Sequence, residues 1–259
     1  MAISDFTTFA NREVIDGIFY DYSTKAPFLN CDFANVTTTE ITGETVFAYG
    51  GQGHPKRVPF SGERGGTITI ETQIQTPRLY ALIAGADISA SGVIPHREVV
   101  TCTTASKLNV KENPDAGSIY VYAEADDCGH AFVGTYSSAA ATSPATGYDV
   151  TFTAGSGSSD SIAANSTYII YYTVTKNSGV KNISITSKTF PKAFRFSGIT
   201  QIKTENEEIL EYVVTAYKCM PQSNFTVSFS NTGDPTSISV TCDLLVDSDG
   251  NMLDMIMVE

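Results

Sequence analysis

Tryptophan is absent from this 259-residue chain, and histidine occurs only three times. Basic residues are scarce too: 16 Lys and Arg stand against 28 Asp and Glu, a formal charge of −12. Each shortage removes a class of function. Carboxylates are plentiful enough for paired-acid glycoside hydrolysis, but sugar-cleaving clefts generally lean on indole platforms, and this chain has none. The acidic balance repels DNA and anionic membrane surfaces. It suits simple solubility, and equally a surface that does not hold a passing polyanion. No apolar run approaches the length of a membrane span. The opening residues, MAISDFTTFANREVIDGIFYDYS, show no basic stretch followed by an apolar core, so no secretory signal is read there.

The five cysteines (Cys31, Cys102, Cys128, Cys219 and Cys242) are odd in number and form no CxxC pair. Several sit inside apolar strand patterns, where a free thiol behaves as a small hydrophobe. A reducing compartment fits this usage. Chemical motifs are missing as well: there is no nucleophile elbow, no HExxH and no Walker loop. Asp126-Asp127-Cys128-Gly129-His130 is the one dense group of metal-ligating types, and no second pair follows at zinc spacing. His54 and His96 each adjoin a proline, which reads as turn structure. Asp247, Asp249 and Asn251 resemble part of a calcium loop, but the glycine comes too early and the distal Glu is missing, so a DG turn is expected. The sequence therefore reads as a non-enzyme, without cofactor or metal.

What the chain does contain is strand. Val, Ile, Thr, Tyr and Phe abound, and Gly/Ser/Asn/Asp clusters punctuate the apolar runs. The central stretch runs from Lys56 to Ala86. From Thr67 to Gln75 it alternates, with Ile68, Ile70, Thr72 and Ile74 on one side and Thr67, Thr69, Glu71, Gln73 and Gln75 on the other. That is the period of a strand with one dry and one wet face. Thr76 and Pro77 then read as a helix cap and first helical residue. Leu79, Leu82 and Ile83 follow at helical spacing and are expected to pack on the strand's apolar side. Upstream, the glycine-rich SGERGG segment (Ser61–Gly66) precedes a strand rather than a helix, so a hairpin loop is predicted instead of a phosphate cradle. GGQGHPK, beginning at Gly50, reads as another loop.

Composition divides the chain. Residues 1–98 and 190–259 read as two parts of one domain. Residues 1–25 are expected to be an arm that orders against a neighbour. Gly85–Pro95 reads as a connector, and 99–189 as an inserted small β-sandwich of about seven short strands. Beyond it, Ile209–Cys219, Phe225–Phe229, Ile238–Val246 and Met252–Val258 each carry strand patterns. The expected fold is mainly β, with a sandwich or barrel domain, one short α-helix and the inserted module.

The stretch VPFSGERGGTITIETQIQTPRLYALIAGADI and the ending KCMPQSNFTVSFSNTGDPTSISVTCDLLVDSDGNMLDM resemble bacteriophage tail tube (major tail) proteins. The resemblance covers about residues 27–98 and 190–259; the insert, read as an Ig-like module, is a departure from the smallest such proteins. It implies a virion structural protein, assembled in the host cytoplasm. Its subunits would form stacked, hexameric rings around a bore through which DNA passes without specific binding during ejection. Its partners would be its own copies, the tail terminator, the baseplate or tip, and sheath proteins, with no membrane involved. The resemblance places Thr67, Thr69, Glu71, Gln73 and Gln75 toward the bore and Leu79, Leu82 and Ile83 in helix packing. Inter-ring contacts fall to Glu44, Tyr49, His54 and Lys56 in the segment 42–56. The alternatives are a capsid decoration protein and a carbohydrate-binding or adhesin module, the latter with Tyr168–Tyr172 in its binding face.

Overall fold

The computed structural model describes residues 8–140, 147–231 and 233–258. It is mainly β with one short α-helix, and the chain divides into two compact units, Met1–Ile88 with Ile183–Glu259, and Ser89–Asn182.

The first unit is built on one antiparallel nine-stranded sheet. Its N-terminal strands are β1 (Phe9–Asn11), β2 (Asp16–Asp21), β3 (Pro27–Cys31), β4 (Val36–Tyr49) and β5 (Lys56–Thr72). Helix α1 (Pro77–Ala84) follows. After the second unit, β14 (Phe194–Thr204), β15 (Ile209–Pro221), β16 (Ile238–Leu245) and β17 (Leu253–Val258) complete it. The order is β3-β2-β14-β15-β16-β5-β4; β1 also pairs with β14, and β17 with β15. Antiparallel sheets can bury one face and wet the other, and the alternation of Thr67–Thr72 matches that. Ile68, Ile70 and Thr72 are buried, whereas Thr67, Thr69 and Glu71 are half-buried. The dry face gathers Phe19, Phe194, Phe196, Cys219, Val240 and Cys242, and Leu79 and Ile83 of α1 join the same core. Burying each Leu, Ile or Phe contributes about 1.5–3 kcal/mol, so this face holds the sheet together.

The helix begins as its sequence dictates. The Thr76 hydroxyl accepts the Leu79 N–H at 3.3 Å, Pro77 occupies the first turn, and Gly85 closes the helix in the left-handed region at φ 65°. Of the three expected packing residues, Leu79 and Ile83 are buried and Leu82 is half-buried.

Several expectations give way. Of the arm expected over residues 1–25, residues 1–7 lie outside the described residues, and the rest supplies two strands, β1 and β2, to the sheet: β2 lies between β14 and β3, and Phe19 is fully buried. Its buried residues, Gly17 and Phe19, alternate, but the contiguous Ile18, Phe19 and Tyr20 hide that period in the sequence. The alternating strand ends at Thr72, not Gln75. There the Thr72 hydroxyl donates to the Phe33 carbonyl (2.9 Å) and accepts the Ile74 N–H (3.0 Å), bending the chain and leaving Ile74 exposed. Ser61–Gly66 is no loop. It lies inside β5, opposite β4, with a register shift between Gly43 and Thr45 that lets the strand bend. Glycine is required at 66, where a Cβ would stand 2.4 Å from the Glu40 carbonyl. The turn falls instead at GGQGHPK, and His54 takes a positive φ there. Phe225–Phe229, despite its alternation, is not a strand, and Phe229 is exposed.

The second unit begins earlier than composition suggests. Gly92–Thr101 (β7) is one continuous strand, so the expected connector Gly85–Pro95 is partly sheet. With β8 (Lys107–Val110), β9 (Tyr120–Ala123), β10 (Gly134–Ala140), β11 (Tyr148–Ala154) and β12 (Thr167–Lys176) it forms two three-stranded sheets, β10-β11-β8 and β7-β12-β9. Leu108, Val150 and Phe152 from one sheet share a core with Val121, Ile170 and Tyr172 from the other. A further pairing joins Ile88–Ser89 (β6) to Asn182–Ile183 (β13), where the chain passes between units.

Candidate assembly surfaces

The open face of the large sheet can be followed by register. Across β4, β5 and β16 it carries the rows Val36–Glu71–Ser239, Thr38–Thr69–Thr241 and Glu40–Thr67–Asp243. The Thr69 and Thr241 hydroxyls meet at 3.1 Å. Apart from Val36 at one end, these are short hydroxyls and carboxylates with no cation among them: a wettable, mildly negative wall. Sequence alternation placed Thr67, Thr69 and Glu71 together, and they are together on it. Gln73 and Gln75 lie beyond the strand. Gln73 donates its backbone N–H to Asn35 Oδ1, and Gln75 donates to the Thr236 carbonyl while accepting from the Tyr80 hydroxyl. The pattern of alternation could not reveal that the chain turns at Thr72.

Beyond the sheet, β4 and β5 continue as a two-stranded hairpin with exposed residues throughout Thr42–Tyr49 and Lys56–Arg64, apart from half-buried Phe47. On the face continuous with the polar wall, Val46 pairs with Phe60 and Ala48 with Val58. Val46, Val58 and Phe60 are 48–57% exposed. The polarity of a single face thus inverts from threonine and glutamate at the sheet to valine and phenylalanine at the tip. A two-stranded ribbon alone is marginal in water, and this one also leaves large apolar side chains exposed to it. Glu44, Tyr49, His54 and Lys56 all lie on this hairpin, with the Lys56 ammonium 4.2 Å from the Phe47 ring centroid. The sequence confines the expected contacts to the segment 42–56 and so misses Val58 and Phe60. Their alternation with Arg57 and Pro59 was the available signal.

Besides a shallow one between Thr42–Glu44 and Glu63–Gly65 on the hairpin, two concavities of this unit stand out. One, of about 370 Å³, lies beside α1 and is lined by residues including Arg78, Leu82, Lys192 and Phe194; Arg78 donates to the Phe28 carbonyl at 2.8 Å. The other, of about 500 Å³, is a groove on the open face, lined by Asp16, Ile18, Ile199, Glu211 and Val213 among others.

In the second unit the DDCGH segment is spent on structure. Asp127 accepts from Arg97 and from the Tyr171 hydroxyl, each at 2.8 Å, and these bonds hold its carboxyl below the usual range. Asp126 accepts the His130 N–H, and His130 Nε2 lies 3.0 Å from Asp160. Among the described residues no three His, Cys, Asp or Glu side chains cluster as metal ligands. Tyr168 and Tyr172 are buried in the core, so of the Tyr168–Tyr172 run only Tyr171 shares the outer face with Tyr122, on which it packs edge-on at 5.7 Å. Burial pushes the Cys219 thiol up to about 12 and that of Cys242 well above its ordinary value, which suits packing rather than reactivity.

A protein-family model described as the YomU/Tube protein family matches residues 11–258. The chain belongs to that family. Membership gives it a structural role in a phage tail tube, with self-assembly in the tail rather than catalysis. The match spans both units, including the whole of Ser89–Asn182. No curated protein matches the chain.

Proposed function

We propose that this tube-family chain polymerises as stacked hexameric rings into a phage tail tube that conducts DNA during ejection. The carrying observation is the inversion along one face, from Thr67, Thr69 and Glu71 on the sheet to Val46, Val58 and Phe60 on the hairpin. The first part suits a water-filled bore; the second suits burial by another subunit. A bore lined by Glu40, Glu71 and Asp243 would not grip phosphates, since counterion-releasing attachment needs Lys or Arg. Gln73 and Gln75 are left out of the bore on this reading, since they are tied to Asn35, Thr236 and Tyr80. The strands at the two ends of the sheet's path, β3 and β4, each have one paired neighbour among the described strands, and closing such edges in a ring removes an aggregation hazard. Tyr49, His54, Lys56 and Glu44 then act through the hairpin at subunit contacts. The Ser89–Asn182 unit is an Ig-like module carried on the outside, and the terminator, baseplate or tip, and sheath proteins are the further partners.

Negative-stain microscopy of the purified protein tests this. Hollow tubes with six-fold end views are expected. A monodisperse monomer at high concentration, or solid aggregates without a bore, would refute the reading.

A further inference from the structure

We infer that the hairpin of one subunit docks head-to-tail into the open-face groove of a second copy, between Asp16 and Glu211. This inference rests on the tube reading and names the receptor for its contact element.

The groove crosses β2, β14 and β15. By register, Ile199 stands beside Val213, and Val213 beside Ile256 of β17, so an apolar row runs across three strands. Ile199 is 48% and Ile256 51% exposed. Carboxylates border the row: Asp16 pairs with Ile199 across the sheet, and Glu13 and Glu211 also line the groove, with neutral Asn30, Ser197, Thr200 and Gln201 between them. None of these three acids has an ion-pair partner among the described residues. The site is a groove with an apolar row along its floor, no cation in its lining and an uncompensated negative rim.

The hairpin tip is its complement. From Tyr49 to Ser61 the sequence YGGQGHPKRVPFS holds Lys56 and Arg57 and no carboxylate, in a chain whose formal charge is −12. Neither cation forms a salt bridge among the described residues. Arg57 Nε donates to the Gly50 carbonyl at 2.9 Å, and Lys56 lies over Phe47. Val58 and Phe60 supply the apolar surface that the floor needs. The concavity beside α1 fits this occupant less well, because its Arg78 and Lys192 already offset Asp21 and Asp87 and leave no net negative rim for the basic tip. A hairpin and a groove at different places on one subunit make a heterologous contact, which closes into rings or continues into filaments. Desolvating two cations against three acids favours this orientation, and like-charge placement would disfavour others.

Charge reversal on each side tests the pairing. One chain carries Lys56→Glu and Arg57→Glu, and another carries Glu13→Lys and Glu211→Lys; thermal unfolding verifies that each remains folded. Alone, each is expected to lose tube formation, with the critical concentration rising at least about tenfold. Mixed in equal amounts, they should co-assemble, because each reversed hairpin now meets an oppositely charged groove on the other chain. If each variant alone forms tubes like the unaltered protein, the groove is not the receptor, although the tube reading stands. Folded variants that stay inert when mixed also overturn the pairing. An unaltered chain that never assembles overturns both.

Discussion

At Gly85 the helix end meets a second strand of chain. Its φ of 65° is in the left-handed region, and an added Cβ would stand 2.2 Å from the Phe190 carbonyl carbon. Gly85→Ala combines a left-handed penalty with a backbone overlap, so a loss of about 2–4 kcal/mol is expected in urea unfolding. Acid sensitivity is likewise a matter of single residues. Asp160 is held below its ordinary value by the Val133 N–H and by His130, Asp115 by the Thr175 hydroxyl and N–H, and Asp127 by Arg97. A depressed folded value means that the stabilisation is present above the unfolded carboxylate value, about 3.9, and is lost as pH falls through the folded one. The melting temperature should therefore drop steeply below about pH 4, and Asp160→Asn should flatten that acid limb. An unchanged limb in the variant would remove Asp160 from the account. Both cases share a feature: a glycine in GADI and an aspartate in SSDS look ordinary in sequence, and only the neighbour brought by folding makes them critical.

Among the elements, β5 shows how much a pattern can convey. Thr67–Thr72 alternated in sequence and alternates in the sheet, and the Thr76-Pro77 start of α1 was legible because caps are local chemistry. The N-terminal strand was not legible. Its pairing partner, β14, lies roughly 180 residues away, and β2 is a strand only because Phe194 and Phe196 give Phe19 something to pack on. Truncation before Tyr22 is accordingly expected to abolish folding rather than merely disarm assembly. Circular dichroism and solubility of the truncated chain check this, and a cooperative, soluble truncated subunit would show β2 to be dispensable. Phe225–Phe229 is the converse case, a strand-like pattern that joins no sheet although Phe225 packs against the core. Glycines misled the reading at Ser61–Gly66, where they mark close strand approach rather than a turn.

For the whole molecule, the question is what the Ser89–Asn182 unit contributes. It has its own core, with Leu108, Val110, Val121 and Ile170 fully buried, and its chain ends are paired through Ile88–Ser89 and Asn182–Ile183. Replacing the unit by a short loop between those strands should leave a folded first unit that still forms tubes, visible by microscopy as thinner walls. Loss of tubes from a folded deletion variant would make the unit part of the wall. The sequence by itself determined the β character, the capped helix and the wet face of β5, because alternation, hydroxyl caps and apolar spacing act within a few residues. Tertiary structure alone decided that β2 is an inner strand, that β4 and β5 run on into an exposed hairpin, and that Ile199, Val213 and Glu211 share a groove with Asp16. Those outcomes depend on which distant strands pair. Pairing is chosen by the summed burial of many side chains, which no short window of sequence contains.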